Sequence, residues 1–276
     1  MDKTPAISTH CANCSFPLDQ QFRYCPNCSQ KVHLHRLTLH DIIHDAIHYF
    51  THADKGIVGL VKDLVVKSGN VAKEYVSGKR KKYFPPLNFY LLIGTIYVLA
   101  IGFVAPKTNV DVLKEHPEIN RIQNKDVRQY VIRIYERQYK ALAFINKYSN
   151  TVSMIAVPLT CVFYWLFYIR GRYNYTEHMI ACLYMGGLTN LVFALIFVPF
   201  SLVTGVKYSS MWLTGIYVVF QISYAAIFYY RFIGRTTRAA AWKAAGVSLF
   251  VTVFWIALTV LLLIWYISHG FWGFVD

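Results

Sequence analysis

The chain has 276 residues, of which 55% are hydrophobic and 17% aromatic against only 15% charged, a balance that excludes an ordinary soluble domain. A formal charge of +14 would suit a nucleic-acid binder, yet the basic residues crowd around the ends of apolar segments and in the amino-terminal head. Anionic headgroups and insertion topology account for them there, so no nucleic-acid partner is expected.

The first residues, Met1 to Ser8, carry neither a basic stretch nor an apolar core, so the head is expected to stay on the side where it is made. Cys11-Ala-Asn-Cys14 and Cys25-Pro-Asn-Cys28 then stand ten residues apart, a spacing that brings two thiolate pairs into one tetrahedral site. Zinc suits such a site, as a closed structural centre without a position for substrate. Residues 1–32 form this zinc-ribbon unit, too short for an apolar core, so the metal would supply most of its folding free energy. Two disulfides are the competing reading, disfavoured by a cytoplasmic location. Ser15 and Ser29 follow each pair where glycine is common in such ribbons.

Residues 33–85 read as juxtamembrane helices. His40, His44, His48 and His52 recur every fourth residue and form one stripe on a helix, opposite Leu39, Ile43, Ile47 and Phe50, with Thr38 and Asp41 as a capping box. Such a stripe could hold a second metal or sense protons, or be the wet face of an amphipathic helix. A second amphipathic stretch from Ile57 to Val76 is interrupted near Gly69 and stopped at Gly78. Lys79, Arg80, Lys81 and Lys82 follow, beside Tyr83 and Phe84, as a topology anchor or a site for anionic lipid headgroups.

Residues 86–276 form the membrane domain of an all-α integral membrane protein. Five stretches lack Asp, Glu, Lys and Arg and are long enough to cross about 30 Å of hydrocarbon: residues 86–105, 151–169, 179–203, 211–230 and 244–267. With the amino terminus inside, 18 Lys and Arg fall on the cytoplasmic side and 10 outside, nine of the latter in residues 106–150. Without that segment the bias is strong, and the expected location is the inner membrane with the amino terminus in the cytoplasm. Val127, Val131, Ile134 and Leu142 give the 106–150 segment a helical period, as a surface helix or an extension of the second span. Thr176 can cap the third span, whose first turn holds Glu177 and His178; Asn190 and Gln221 lie deeper and are candidates for hydrogen bonds between helices. Gly186 and Gly187 permit close helix contact, and Pro158 and Pro199 are expected to kink their helices.

The knuckle ending Cys25-Pro-Asn-Cys28-Ser-Gln-Lys31, the following His35-Arg-Leu-Thr38, the junction Gly78-Lys-Arg-Lys-Lys-Tyr-Phe-Pro85 and Tyr175-Thr-Glu-His178 together resemble a family of bacterial membrane proteins, domain of unknown function 3667. The resemblance implies membrane residence and zinc, and no reaction. The residues favour a membrane-anchored interaction or regulatory protein with a protein partner at its head. Alternatives are a small transporter using Glu177, His178, Asn190 and Gln221, or a membrane enzyme with a His-based metal site.

Overall fold

The computed structural model describes residues 9–19, 21–32, 36–43, 56–104, 111–206 and 210–269. Among them the cysteine head has no helix and pairs only through two isolated bridges, His10 with Pro17 and Tyr24 with Lys31. The remainder is helical. Two short helices, α1 (Gly56–Lys67) and α2 (Asn70–Val76), lead into α3 (Pro86–Val104). A turn of helix, α4 (Val112–Glu115), and a 3-10 turn (Pro117–Arg121) precede the 43-residue α5 (Lys125–Phe167). Then come α6 (Tyr175–Val192), a π turn (Phe193–Phe197), α7 (Val198–Thr204), α8 (Met211–Ile233) and α9 (Arg238–His269).

Among the described residues four helices are long and apolar enough to span a bilayer: Pro86–Val104, Tyr175–Thr204, Met211–Ile233 and Arg238–Ser268. The fifth apolar stretch, Met154–Phe167, is the end of α5. That helix leaves helical geometry at Tyr148 (φ −106°, ψ 15°), and from there to Phe167 it rises about 29 Å at 1.5 Å per residue. Before the kink it continues for about 35 Å, so the basic segment and the apolar stretch belong to one kinked helix. The helix beginning at Tyr175 starts four residues before the apolar run counted from Met179, because a polar first turn is still helix when it is capped.

The Tyr175–Thr204 helix is the centre of the bundle: 56% of its apolar window is buried, against 17% for Arg238–Ser268. Outward-facing apolar residues such as Leu99, Phe103, Val203 and Ile264 lie open on the outer helices, where water would penalise them and lipid would not. Trp212 and Trp242 are also open at helix ends, as interfacial anchors should be. Tyr83 and Tyr229, which stand at helix ends in the sequence as well, are instead buried; Tyr229 stacks on Tyr164 with centroids 3.7 Å apart. Which face of a helix end meets lipid is decided by its neighbours.

Close packing sets the bundle. A Cβ on Gly187 would come within 2.4 Å of the Phe89 ring, and one on Gly186 within 3.2 Å of Tyr90, which explains the tight contact of α6 with α3. Pro199 has no N–H to give the preceding turn, and the chain absorbs the defect as the π turn Phe193–Phe197 immediately before it. Cys161 and Cys182 are buried as small core side chains, with Cys182 Sγ 3.2 Å from the Tyr229 hydroxyl.

Candidate metal centre and its mooring to the helix bundle

The head is built from two copies of one turn, fourteen residues apart. In the first, the Cys11 N–H donates to the Phe16 carbonyl and the Ser15 N–H to the Cys11 carbonyl; in the second, Cys25 donates to Gln30 and Ser29 to Cys25. Both serines sit in the left-handed region, at φ 61° and 56°, which is why glycine is common there in other ribbons. The turns face each other. Cys11 Sγ lies 3.6 Å from Cys28 Sγ, Cys14 Sγ lies 3.6 Å from Cys25 Sγ, and all four sulfurs fall within 4.8 Å of one another.

Four thiolates around a tetrahedral ion with bonds near 2.3 Å would stand about 3.8 Å apart, so this donor set fits a metal ion held by sulfur alone. All four cysteines are free thiols, not the disulfide alternative. The Phe16 backbone N–H and the Asn27 side chain lower the Cys14 thiol to about 6, whereas burial pushes Cys11 up to about 11. One sulfur is therefore ionised at neutral pH ahead of the other, and metal capture must displace protons.

Two contacts moor the head. Gln30, buried at the base of the second turn, accepts from the Lys81 backbone N–H through Oε1 at 3.1 Å. Arg36, beyond the head, forks onto Glu177 at 3.0 and 2.9 Å and donates to the Arg172 carbonyl at 2.7 Å. The Glu177 hydrogen bonds raise the Arg36 guanidinium above its ordinary value.

Glu177 serves twice. Asn174, not Thr176, caps α6: its side chain accepts from the Glu177 N–H at 2.8 Å while Glu177 Oε2 accepts from the Asn174 N–H at 2.7 Å. The helix starts one turn earlier than the apolar run suggests, which leaves Thr176 inside it. The Asn174 amide also reaches the Leu37 carbonyl at 3.4 Å, and Leu37 and Ile42 join the core of the bundle.

The basic junction faces inward as much as outward. Lys82 and Lys79 approach Glu74 Oε2 at 2.8 and 3.4 Å, and the Tyr83 hydroxyl donates to it at 2.9 Å. Burial alone would raise the Glu74 carboxyl, but the Lys82 and Tyr83 hydrogen bonds and the two ammonium charges outweigh it and hold it down near about 2. Just upstream, α1 and α2 meet at Ser68 and Gly69. A Cβ on Gly69 would fall 1.8 Å from the Phe228 carbonyl oxygen, so the turn lies directly on the backbone of α8. From α8, the Tyr224 hydroxyl and the Arg231 guanidinium close the last carbonyls of α1, at Leu64 (3.2 Å) and Val66 (2.8 Å).

Residues 54–98 match a family model described as Protein of unknown function (DUF3667). That segment is similar to the DUF3667 family. No curated protein and no solved structure matches it. The DUF3667 segment is the piece just described: α1, α2, the Glu74 junction and the first turns of α3. It lies downstream of the cysteines, and in this chain it forms the wedge that joins head to bundle.

His40 lies on the helical turn at residues 39–43, and His44, His48 and His52 fall outside the described residues. Among the described residues the cysteine set is the one group arranged for a metal. His178 is fully buried between Tyr168, Tyr173, Tyr229 and Phe232, its ring nitrogens without a hydrogen-bond partner among the described residues. Asn190 is thirteen residues beyond Glu177 on α6, about 20 Å along the axis; both it and Gln221 on α8 are half-buried. Gln30 and Arg36 stand in motifs that carry the family resemblance, but the sequence assigned them no role, because their partners are 51 and 141 residues away.

Proposed function

We propose that this protein is a membrane-anchored zinc protein whose four-cysteine head acts as a cytoplasmic regulatory module, docking a protein partner and passing its state to the helix bundle. The observation that carries this reading is the Arg36–Glu177 fork: the chain leaving the head is held by a buried carboxylate in the first turn of the central helix. A tether that only hung from the membrane would need no such contact. Zinc is favoured over other ions by an all-thiolate set at tetrahedral spacing. A closed four-sulfur centre has no open position for a substrate, which favours a structural role over catalysis. The cytoplasmic assignment draws support from the cations at the head end of the bundle, where Lys79 to Lys82 meet Arg172.

The test is metal analysis joined to crosslinking. The full chain purified in detergent should contain about one zinc per molecule, lost in Cys11→Ser and Cys25→Ser. Crosslinking in native membranes should capture a protein partner from the wild type and not from those variants. A metal-free wild type, or an unchanged partner set after cysteine replacement, would overturn the proposal.

A further inference from the structure

A cavity of about 950 Å³ opens where the turn after α5 meets the turn between α8 and α9. Arg170, Arg172, Arg235 and Lys243 line it, and no Asp or Glu does. Four cations of one sign, brought together from two turns and a helix, are a costly arrangement unless an anion joins them. Among the described residues none of the four is in an ion pair. Two are aimed by aromatic rings: Lys243 Nζ stands 4.7 Å over the Tyr168 ring and Arg172 Cζ stands 4.6 Å over that of Tyr173. Glu177, close by in sequence, is already forked by Arg36.

Depth and lining distinguish the occupant. The cavity lies at the end of the bundle where α5 and α8 finish and α9 begins, the level at which a lipid headgroup sits when these helices are immersed. One wall is apolar, with Leu166, Phe167 and Ile169 exposed and continuous with the lipid-facing surface of α5. A free phosphate ion would have no use for that wall. The first turn of α9 adds the positive end of a helix dipole.

We infer that this cavity is a binding site for the phosphate of an anionic phospholipid, with the cations on the headgroup and the Leu166 to Ile169 wall beside the acyl chains. It lies apart from the Lys79 to Lys82 junction, whose Lys79 and Lys82 are engaged by Glu74. It also lies apart from the four cysteines of the head.

The experiment uses the full chain in neutral detergent and follows thermal unfolding as micelles are doped with phosphatidylglycerol, with phosphatidylcholine, or as sodium phosphate is added. Phosphatidylglycerol should raise the midpoint and phosphatidylcholine should not. Arg170→Gln, Arg235→Gln and Lys243→Gln, exposed positions whose loss spares the fold, should each raise the half-saturating phosphatidylglycerol about fivefold. Arg170→Lys should keep the response, and Lys125→Gln at the far end should leave it unchanged. Equal response to both lipids in the wild type, or an unchanged response in the triple Gln variant, would overturn the inference. So would saturation by sodium phosphate at the concentration at which phosphatidylglycerol saturates, since the ligand would then be a soluble anion.

Discussion

Glu74 gathers two ammonium groups and a phenol onto one carboxylate at the neck of the molecule, and that sets the pH dependence of the junction. Its folded value near about 2 lies below the ordinary 4.5. The stabilisation is therefore complete above pH ~4.5 and is lost as pH falls from there towards ~2. Thermal unfolding in detergent should show the wild type losing stability through that window and Glu74→Gln showing a flatter profile with a lower midpoint at pH 7. Glycines give a second residue-scale test. Gly69→Ala must push a methyl into the Phe228 carbonyl at 1.8 Å and should cost about 3 kcal/mol or more. Gly59→Ala meets nothing within 4 Å on its helix and should be neutral or stabilising by about 0.5–1 kcal/mol. Denaturant titration of the two variants side by side checks the contrast. Neither effect is written in local sequence: Gly59 and Gly69 look alike until α8 is laid against one of them.

Among the elements, the opening turn of the central helix is the joint between head and membrane. Asn174 and Glu177 close a capping box, and the same carboxylate holds Arg36. Arg36→Ala leaves the box intact but removes the mooring, so hydrogen exchange should quicken in residues 21–43 while α6 stays protected; the expected loss is about 1–2 kcal/mol, since the arginine is more than half exposed. Glu177→Ala removes the carboxylate half of the capping box together with the mooring and should expose both segments. Equal exchange in the two variants would show that the fork contributes nothing beyond the cap. The cap is Asn174, two residues before the Thr176 that the sequence suggests, because a helix begins where its first N–H groups find acceptors.

At the scale of the whole molecule, four helices are long and apolar enough to span a bilayer among the described residues, and the expectation of a fifth crossing rests on the apolar end of α5. The α5–α6 turn meets the head through Arg36; the Tyr173 hydroxyl near that turn reaches the Phe232 carbonyl of α8; Arg137 on α5 reaches the Ile267 and Ser268 carbonyls at the end of α9. Single cysteines introduced at residues 171 and 236, in a background lacking native cysteines outside the head, should therefore label from the same side as the head, and one at residue 120 from the opposite side. Labelling of 120 together with 171 would mean that α5 does not cross. Residues 86–104 and 154–167 could be recognised as lipid-soluble from their lack of charge alone, and so could the paired cysteine turns, since both depend on short-range composition and spacing.

Apolar runs without charge dictated membrane residence and a largely helical chain, and the cysteine spacing dictated a candidate metal centre, because each of these follows from groups close together in sequence that need no distant partner. The fold alone decided that Arg36 would meet Glu177, that Gln30 would rest on Lys81, and that Arg170, Arg172, Arg235 and Lys243 would surround one cavity. These depend on which helix ends come together when the bundle closes, and a helix about 30 Å long returns its ends to each other's company only through packing.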